Sequence, residues 1–253
     1  MAQNINFDRF KNLTYESFRE MAKDPNLTEF EKVGFPDSYR EGRGEAIFAD
    51  ILAKLPRLNE QGLTVVDIGP GCSDPAKLMI AHCGEHNHKL IMIDAPEMLD
   101  LLPDAPHLIK MPGYYPKATP QLFTDYAGKV DVLLAYGVVS IIFAEGLLYP
   151  FIDQTLGLMA SGAQWLIGDF PNISKRKRFF GSETGIAFHK AFMNTDEAPE
   201  VDFNTPEPGQ IDDGVMLGIL ARVRGFGFDS FLLPQRADLP MANRREDILI
   251  LKP

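Results

Sequence analysis

Residues 63–79 read LTVVDIGPGCSDPAKLM, an order of residue types that describes a strand, a tight turn and the first turns of a helix. Thr64, Val65 and Val66 are β-branched and suit a buried strand, Asp67 closes it, and Gly69 and Gly71 permit torsions and close approaches that a side chain would block. A ligand can therefore lie against the backbone of this turn. From about Pro75 the following helix offers free N–H groups and the positive end of its dipole. The stretch reads as a nucleotide-cofactor site.

Upstream, Glu45 to Leu58 carries Ile47, Ile51, Leu52 and Leu55 at helical spacing and leads into that strand. Residues 1–44 before it are rich in charge and aromatics, with Phe7, Phe10, Tyr15, Phe18, Phe30 and Phe35 among polar residues and breaks at Asp24-Pro25-Asn26 and Phe35-Pro36-Asp37. They read as an N-terminal helical cap. Downstream, the helix runs to about Cys83, and Lys89 to Ile93 is an apolar strand that ends at Asp94. Asp94 thus stands one helix and one strand beyond the glycines, where a carboxylate can accept hydrogen bonds from both hydroxyls of a ribose.

The alternation continues. A short helix near Glu97 to Leu102 and a third strand near His107 to Met111 precede an aromatic loop, Pro112-Gly113-Tyr114-Tyr115-Pro116, of the kind that lines a ligand crevice. Thr119-Pro120 starts a helix with the threonine as N-cap, Val130 to Val139 is a fourth strand, a helix runs from Glu145 to a cap at Gly162, and Trp165 to Phe170 is a fifth strand. Residues 171–213 break the rhythm with the basic run Lys175-Arg176-Lys177-Arg178 and a helix over Glu183 to Met193, and read as a substrate-side insertion. Asp212 can cap the next helix, whose apolar face is Met216, Ile219, Leu220 and Val223. The last strands, Phe228 to Leu233 and Asp247 to Leu251, are joined by too few residues for a crossover helix and should pair antiparallel. The fold class is α/β, a doubly wound sheet covered on both faces.

Composition narrows the function classes. Of 253 residues 45% are hydrophobic and 24% charged, as in a soluble globular domain, and 35 acidic against 25 basic side chains give a net charge of −10. That charge disfavours general binding to nucleic acid or to an anionic membrane. The N-terminus shows no apolar core of signal-peptide length and no run approaches a spanning helix, so a cytoplasmic protein is expected. Cys72 and Cys83 lack a second pair to complete a zinc site, and His82, His86 and His88 cluster at the far end of the first helix from the crevice. No metal is expected.

The terminal hairpin, the alternating chain and the glycine turn together make the sequence resemble the class I S-adenosylmethionine-dependent methyltransferases, from about Glu45 to Pro253. The resemblance implies a Rossmann-like seven-stranded sheet with an antiparallel last strand in residues 45–253, plus the cap of residues 1–44. The family's acid-x-Gly-x-Gly-x-Gly motif stands here as Asp67, Ile68, Gly69, Pro70, Gly71, Cys72 and Ser73, with the third glycine replaced by a small serine. Asp94 matches the acid that holds the cofactor ribose, and Ala135-Tyr136-Gly137-Val138 resembles the segment beside its methionine part. The resemblance thus implies S-adenosylmethionine as cofactor, held by Asp67, Gly69, Pro70, Gly71, Ser73, Asp94, Tyr136 and Gly137, with Gly113 of the aromatic loop beside it, and methyl transfer to a small molecule such as a sugar or another metabolite. The cap is similar to those of small-molecule members, with a further likeness to sugar and polysaccharide-cluster enzymes.

Two rival readings use the same residues. A nicotinamide dinucleotide oxidoreductase needs a glycine at position 74, where this chain has Asp74, an acid that would face the pyrophosphate. A regulator or scaffold that binds the cofactor without turnover is the second. Arg40 and Arg43 could pair with the cofactor carboxylate or stand solvated. On the acceptor side, Asp169 at the end of strand five and His189 in the insertion are the candidates for a general base, needed only if the acceptor carries a proton.

Overall fold

The computed structural model describes residue 10, residues 13–205 and residues 207–253; Phe7 lies outside them. Seven strands form one sheet: β1 (Thr64–Ile68), β2 (Lys89–Asp94), β3 (Leu108–Pro112), β4 (Val130–Tyr136), β5 (Met159–Pro171), β6 (Asp229–Pro234) and β7 (Arg245–Leu251). Their order is β3-β2-β1-β4-β5-β7-β6, with β7 antiparallel to both of its neighbours. The winding reverses between β1 and β4, and such a switch point opens a crevice beyond the strand ends.

Helices cover both faces: α1 (Tyr15–Lys23), α2 (Glu29–Lys32), α3 (Asp37–Arg40), α4 (Gly44–Lys54), α5 (Asp74–Glu85), α6 (Pro96–Leu99), α7 (Pro120–Tyr126), α8 (Val139–Ala144), α9 (Leu148–Leu156), α10 (Ile173–Phe180), α11 (Glu183–Met193) and α12 (Asp213–Gly225). Strand residues alternate between two apolar cores, as a period of two requires. Val65, Leu90, Met92, Val132 and Leu134 pack with Ile47, Ile51, Met79 and Cys83 of α4 and α5. Val66, Ile91, Ile93, Leu133 and Trp165 pack on the other face with Phe151 and Ile152 of α9 and with Met216, Ile219 and Val223 of α12. Reciprocal capping boxes begin the first two cap helices, Thr14 with Ser17 and Thr28 with Glu31. Among the described residues no helix is long and apolar enough to cross a membrane.

Three local expectations are corrected. β4 stops at Tyr136, where Gly137 turns to a φ of +81°, and Val139 begins α8 instead of ending the strand. The helix expected to reach Gly162 ends at Leu156, and Gly162 instead lies within β5 and donates its N–H to Lys252 O at 3.0 Å. Pairing with the chain's far end outweighs a helical apolar pattern there. Thr119 precedes α7 but makes no side-chain cap; its hydroxyl donates to Pro116 O at 3.2 Å.

Residues 171–213 carry α10 and α11, and the basic run is largely used within the fold. Lys175 donates to Arg245 O at 2.9 Å, Lys177 to Thr205 O at 2.9 Å with Glu207 at 3.0 Å, and Arg178 pairs with Asp213. Arg176 is exposed and lies over the Phe180 ring, 5.2 Å from its centroid.

Trp165 is the largest fully buried side chain, and its indole N–H has no partner. Trp165→Ala should destabilise by about 3–5 kcal/mol. Trp165→Phe should cost well under that, because it deletes the unpaired donor as well as part of the ring. Equilibrium urea unfolding of the two variants measures the difference.

Candidate active site

The crevice at the switch point is walled by the β1 turn, the ends of β2 and β4, the loop after β3, and the cap. Asp67, Gly69, Pro70, Gly71, Ser73, Asp94, Gly113, Tyr136, Gly137 and Arg40, the ten residues expected around a cofactor, all line it. Gly69 and Gly71 have φ of +69° and +66°. A Cβ at Gly69 would lie 2.3 Å from Val138 Cγ1 and one at Gly71 2.6 Å from Val33 Cγ1, so chain segments close directly on the turn. The turn is tied to the second strand, because Gly71 N–H donates to Asp94 Oδ2 at 3.0 Å while Ala95 N–H donates to Oδ1 at 2.7 Å. Burial still pushes the Asp94 carboxyl up to about 6, against those two donors.

Asp67 is buried, and its Oδ1 has no partner. Burial, with the charge of Asp94 added, pushes its carboxyl up to about 8. Among the described residues Arg40 is the only basic one in the lining, and its charge is spent elsewhere: Nη2 donates to Asp169 Oδ2 at 2.5 Å. The crevice is therefore acidic in character. Its remaining walls are apolar: Tyr15, Phe18, Phe30, Val33 and Phe35 from the cap, Met98 from α6, and Ile141 and Ile142 from α8. Tyr15 meets Tyr114 with ring centroids 4.8 Å apart, and the Tyr114 hydroxyl is buried without a partner.

The two expected bases are not in this lining. Asp169 occupies a bulge in β5, where residues 168 and 169 face the single residue 247, and it takes a φ of +63°. Its Oδ2 accepts from Arg40 and, at 2.7 Å, from Arg245; its Oδ1 accepts from Gln235 Nε2 at 3.2 Å. With both oxygens engaged and the side chain 2% exposed, it is an ionic anchor behind Gly137. His189 sits on α11, edge-on to Phe180 with centroids 6.1 Å apart. Of the tyrosines in the lining, Tyr136 has its phenol pushed well above the usual range, chiefly by burial and then by Asp169. The apolar cap wall is legible in the sequence only as a scatter of aromatics, and α8 is not legible at all, its first residue, Val139, reading as the end of a strand.

No protein-family model matches the sequence, and no curated protein matches it. Solved structures do match in three dimensions. N-methyltransferase NodS from Bradyrhizobium japonicum WM9, in complex with S-adenosyl-l-homocysteine, superposes with a TM-score of 0.56 at 11% identity, over 94% of this chain and 98% of that one. The fold is that of class I methyltransferases. The plantazolicin methyltransferase BpumL, also in complex with S-adenosylhomocysteine, gives 0.53 at 12% identity over 97% and 98%. An S-adenosylmethionine-dependent methyltransferase from Aquifex aeolicus gives 0.50 at 14% over 94% and 98%.

The Asp67 carboxyl titrates near 8 in the fold, against 3.8 for an unperturbed aspartate. The folded state thus holds this proton more tightly than the unfolded chain, and stability falls as pH rises between those values, by at most about 1.4 kcal/mol per pH unit. Asp67→Asn removes the titration. Its stability relative to wild type should grow from pH 4 to pH 8 and level off above, as read from unfolding curves at each pH.

Proposed function

We propose that the chain catalyses S-adenosylmethionine-dependent methyl transfer to a small-molecule acceptor. The observation that carries this reading is the acidic crevice at the switch point, with Asp67 and Asp94 in its wall and a buried carboxylate oxygen of Asp67 left without a partner. A cation-bearing nucleoside fits such a wall. A dinucleotide pyrophosphate does not, since Asp74 opens α5 and, among the described residues, no unpaired cation lines the crevice.

The residue roles follow from the groups present. Asp94 is only partly covered and can accept both ribose hydroxyls while its backbone donors hold it still. Asp67 offers its free oxygen to an ammonium. Gly69, Pro70, Gly71, Ser73 and Gly113 present backbone, and Tyr136 and Gly137 flank the end of β4. When bound, the cofactor supplies an electrophilic methyl group on a sulfonium. The protein's contribution is to orient an acceptor in line with that methyl and to exclude water with the aromatic cap. Where the acceptor carries a proton, the unpartnered Tyr114 hydroxyl is a group inside the crevice that can hydrogen-bond to it.

Calorimetric titration should show saturable binding of adenosylhomocysteine and none of a nicotinamide dinucleotide; the reverse result removes the proposal. Asp94→Ala should weaken adenosylhomocysteine by about 30- to 1000-fold in a folded protein, the loss of two charge-assisted bonds.

Wild-type affinity should also fall as pH drops below about 8, approaching tenfold per pH unit, because an ammonium needs Asp67 ionised. In Asp67→Asn that slope should be absent over pH 7–8.

A further inference from the structure

Segment 35–44 is a shared wall between two cavities. Phe35, Arg40 and Gly44 face the acidic crevice, whereas Ser38, Tyr39 and Arg43 face a second cavity. The second cavity is closed on one side by Phe188 and Phe192 of α11, whose rings stack in parallel with centroids 5.8 Å apart and planes 10° from each other, and on another by loop residues 237–244.

Its charges are unbalanced. Arg43 and Arg244 line it, and Arg244 shares the Phe180 ring with Arg176, at 6.0 and 5.2 Å from the centroid. Among the described residues, no carboxylate lies within ion-pair distance of Arg43, Arg176 or Arg244, in a chain of net charge −10. Asp238, the one acid in the lining, is held by Arg236 at 2.7 Å. Arg244 is lowered chiefly by burial and also by the charges of Arg245 and Arg176, against the support of Tyr39. In the same lining the side-chain oxygen of Asn243 is buried without a partner. Guanidinium forks match carboxylate and phosphate oxygens, and a group of them with no counter-ion of its own favours an anion from outside.

We propose that this second cavity is the anion subsite of the methyl acceptor. It takes a carboxylate or phosphate on Arg43 and Arg244, lays an apolar body of the acceptor against Phe188 and Phe192, and leaves the rest of the molecule toward the crevice across the 35–44 wall. The acceptor class is then an acid or a phosphate ester with an apolar body. A neutral sugar would leave the guanidiniums unpaired. The assignment as an acceptor site rests on the methyl-transfer reading of the crevice; anion binding in the cavity does not.

The test uses the full chain and three probes in parallel calorimetric titrations: phenyl phosphate, phenol and inorganic phosphate, with adenosylhomocysteine titrated separately. Phenyl phosphate should bind saturably, more tightly than inorganic phosphate, with phenol giving no binding at the same concentrations. Arg244→Gln should weaken phenyl phosphate roughly tenfold or more and Arg43→Gln, whose side chain is exposed, by less, both keeping wild-type adenosylhomocysteine affinity. Phenyl phosphate binding no tighter than phenol, or undiminished in both variants, overturns the proposal. Should Arg244→Gln fail to fold, Arg43→Gln decides alone. An absence of adenosylhomocysteine binding with the phenyl phosphate result intact would sink the methyltransferase reading and leave the anion site standing.

Discussion

A buried carboxylate between two guanidiniums organises the mouth of the sheet. The β5 bulge turns Asp169 into a left-handed conformation, and its side chain receives Arg40 from α3 and Arg245 from the start of β7. Asp247, opposite the bulge, accepts the Asp169 N–H at 2.8 Å and Lys54 of α4 at 2.6 Å, and Lys54 also reaches Asp50 at 2.5 Å. Gln235 joins both carboxylates and the Tyr136 hydroxyl. Buried charges are costly unless paired, and removing one member of such a set leaves the others uncompensated. The network therefore ties cap, sheet and hairpin into one arrangement.

The same network positions the wall between the two cavities. Arg40 stacks on Phe35 at 4.0 Å while Arg245 lies 5.3 Å from that ring, so Asp169 holds the segment through its two arginines. On one side of the wall stand Asp67 and Asp94, on the other Arg43 and Arg244. On the methyl-transfer reading proposed above, a cationic donor and an anionic acceptor would be sorted by charge before any base is needed. This is a division of labour that positioning alone can exploit.

The structural relatives share the sheet and little of the sequence, at 11–14% identity with TM-scores of 0.50–0.56. Core strands tolerate exchange among apolar residues of similar volume, so a sheet persists while its letters change. Around that sheet this chain sets the aromatic wall of the crevice and the arginines and phenylalanines of the second cavity. Function resides in such grafted sites more than in the scaffold.

The sequence by itself determined the sheet and the stretch of chain that forms the crevice at its switch point. Strands of β-branched residues, helices with one apolar face, and glycines at a strand end are local patterns, and the ten residues named from them and from the family resemblance line one crevice. Only the tertiary structure decided which charges around that crevice are already paired. Asp169 looked like an available acid because its two arginine partners lie 129 and 76 positions away. Gly162 looked like a helix cap because the strand that claims it arrives from the C-terminus. Local pattern reports the torsions and burial of neighbours in sequence. Ion pairs and strand pairing across long separations depend on where the folded chain brings its charges and backbone groups together, and no short window of sequence carries that.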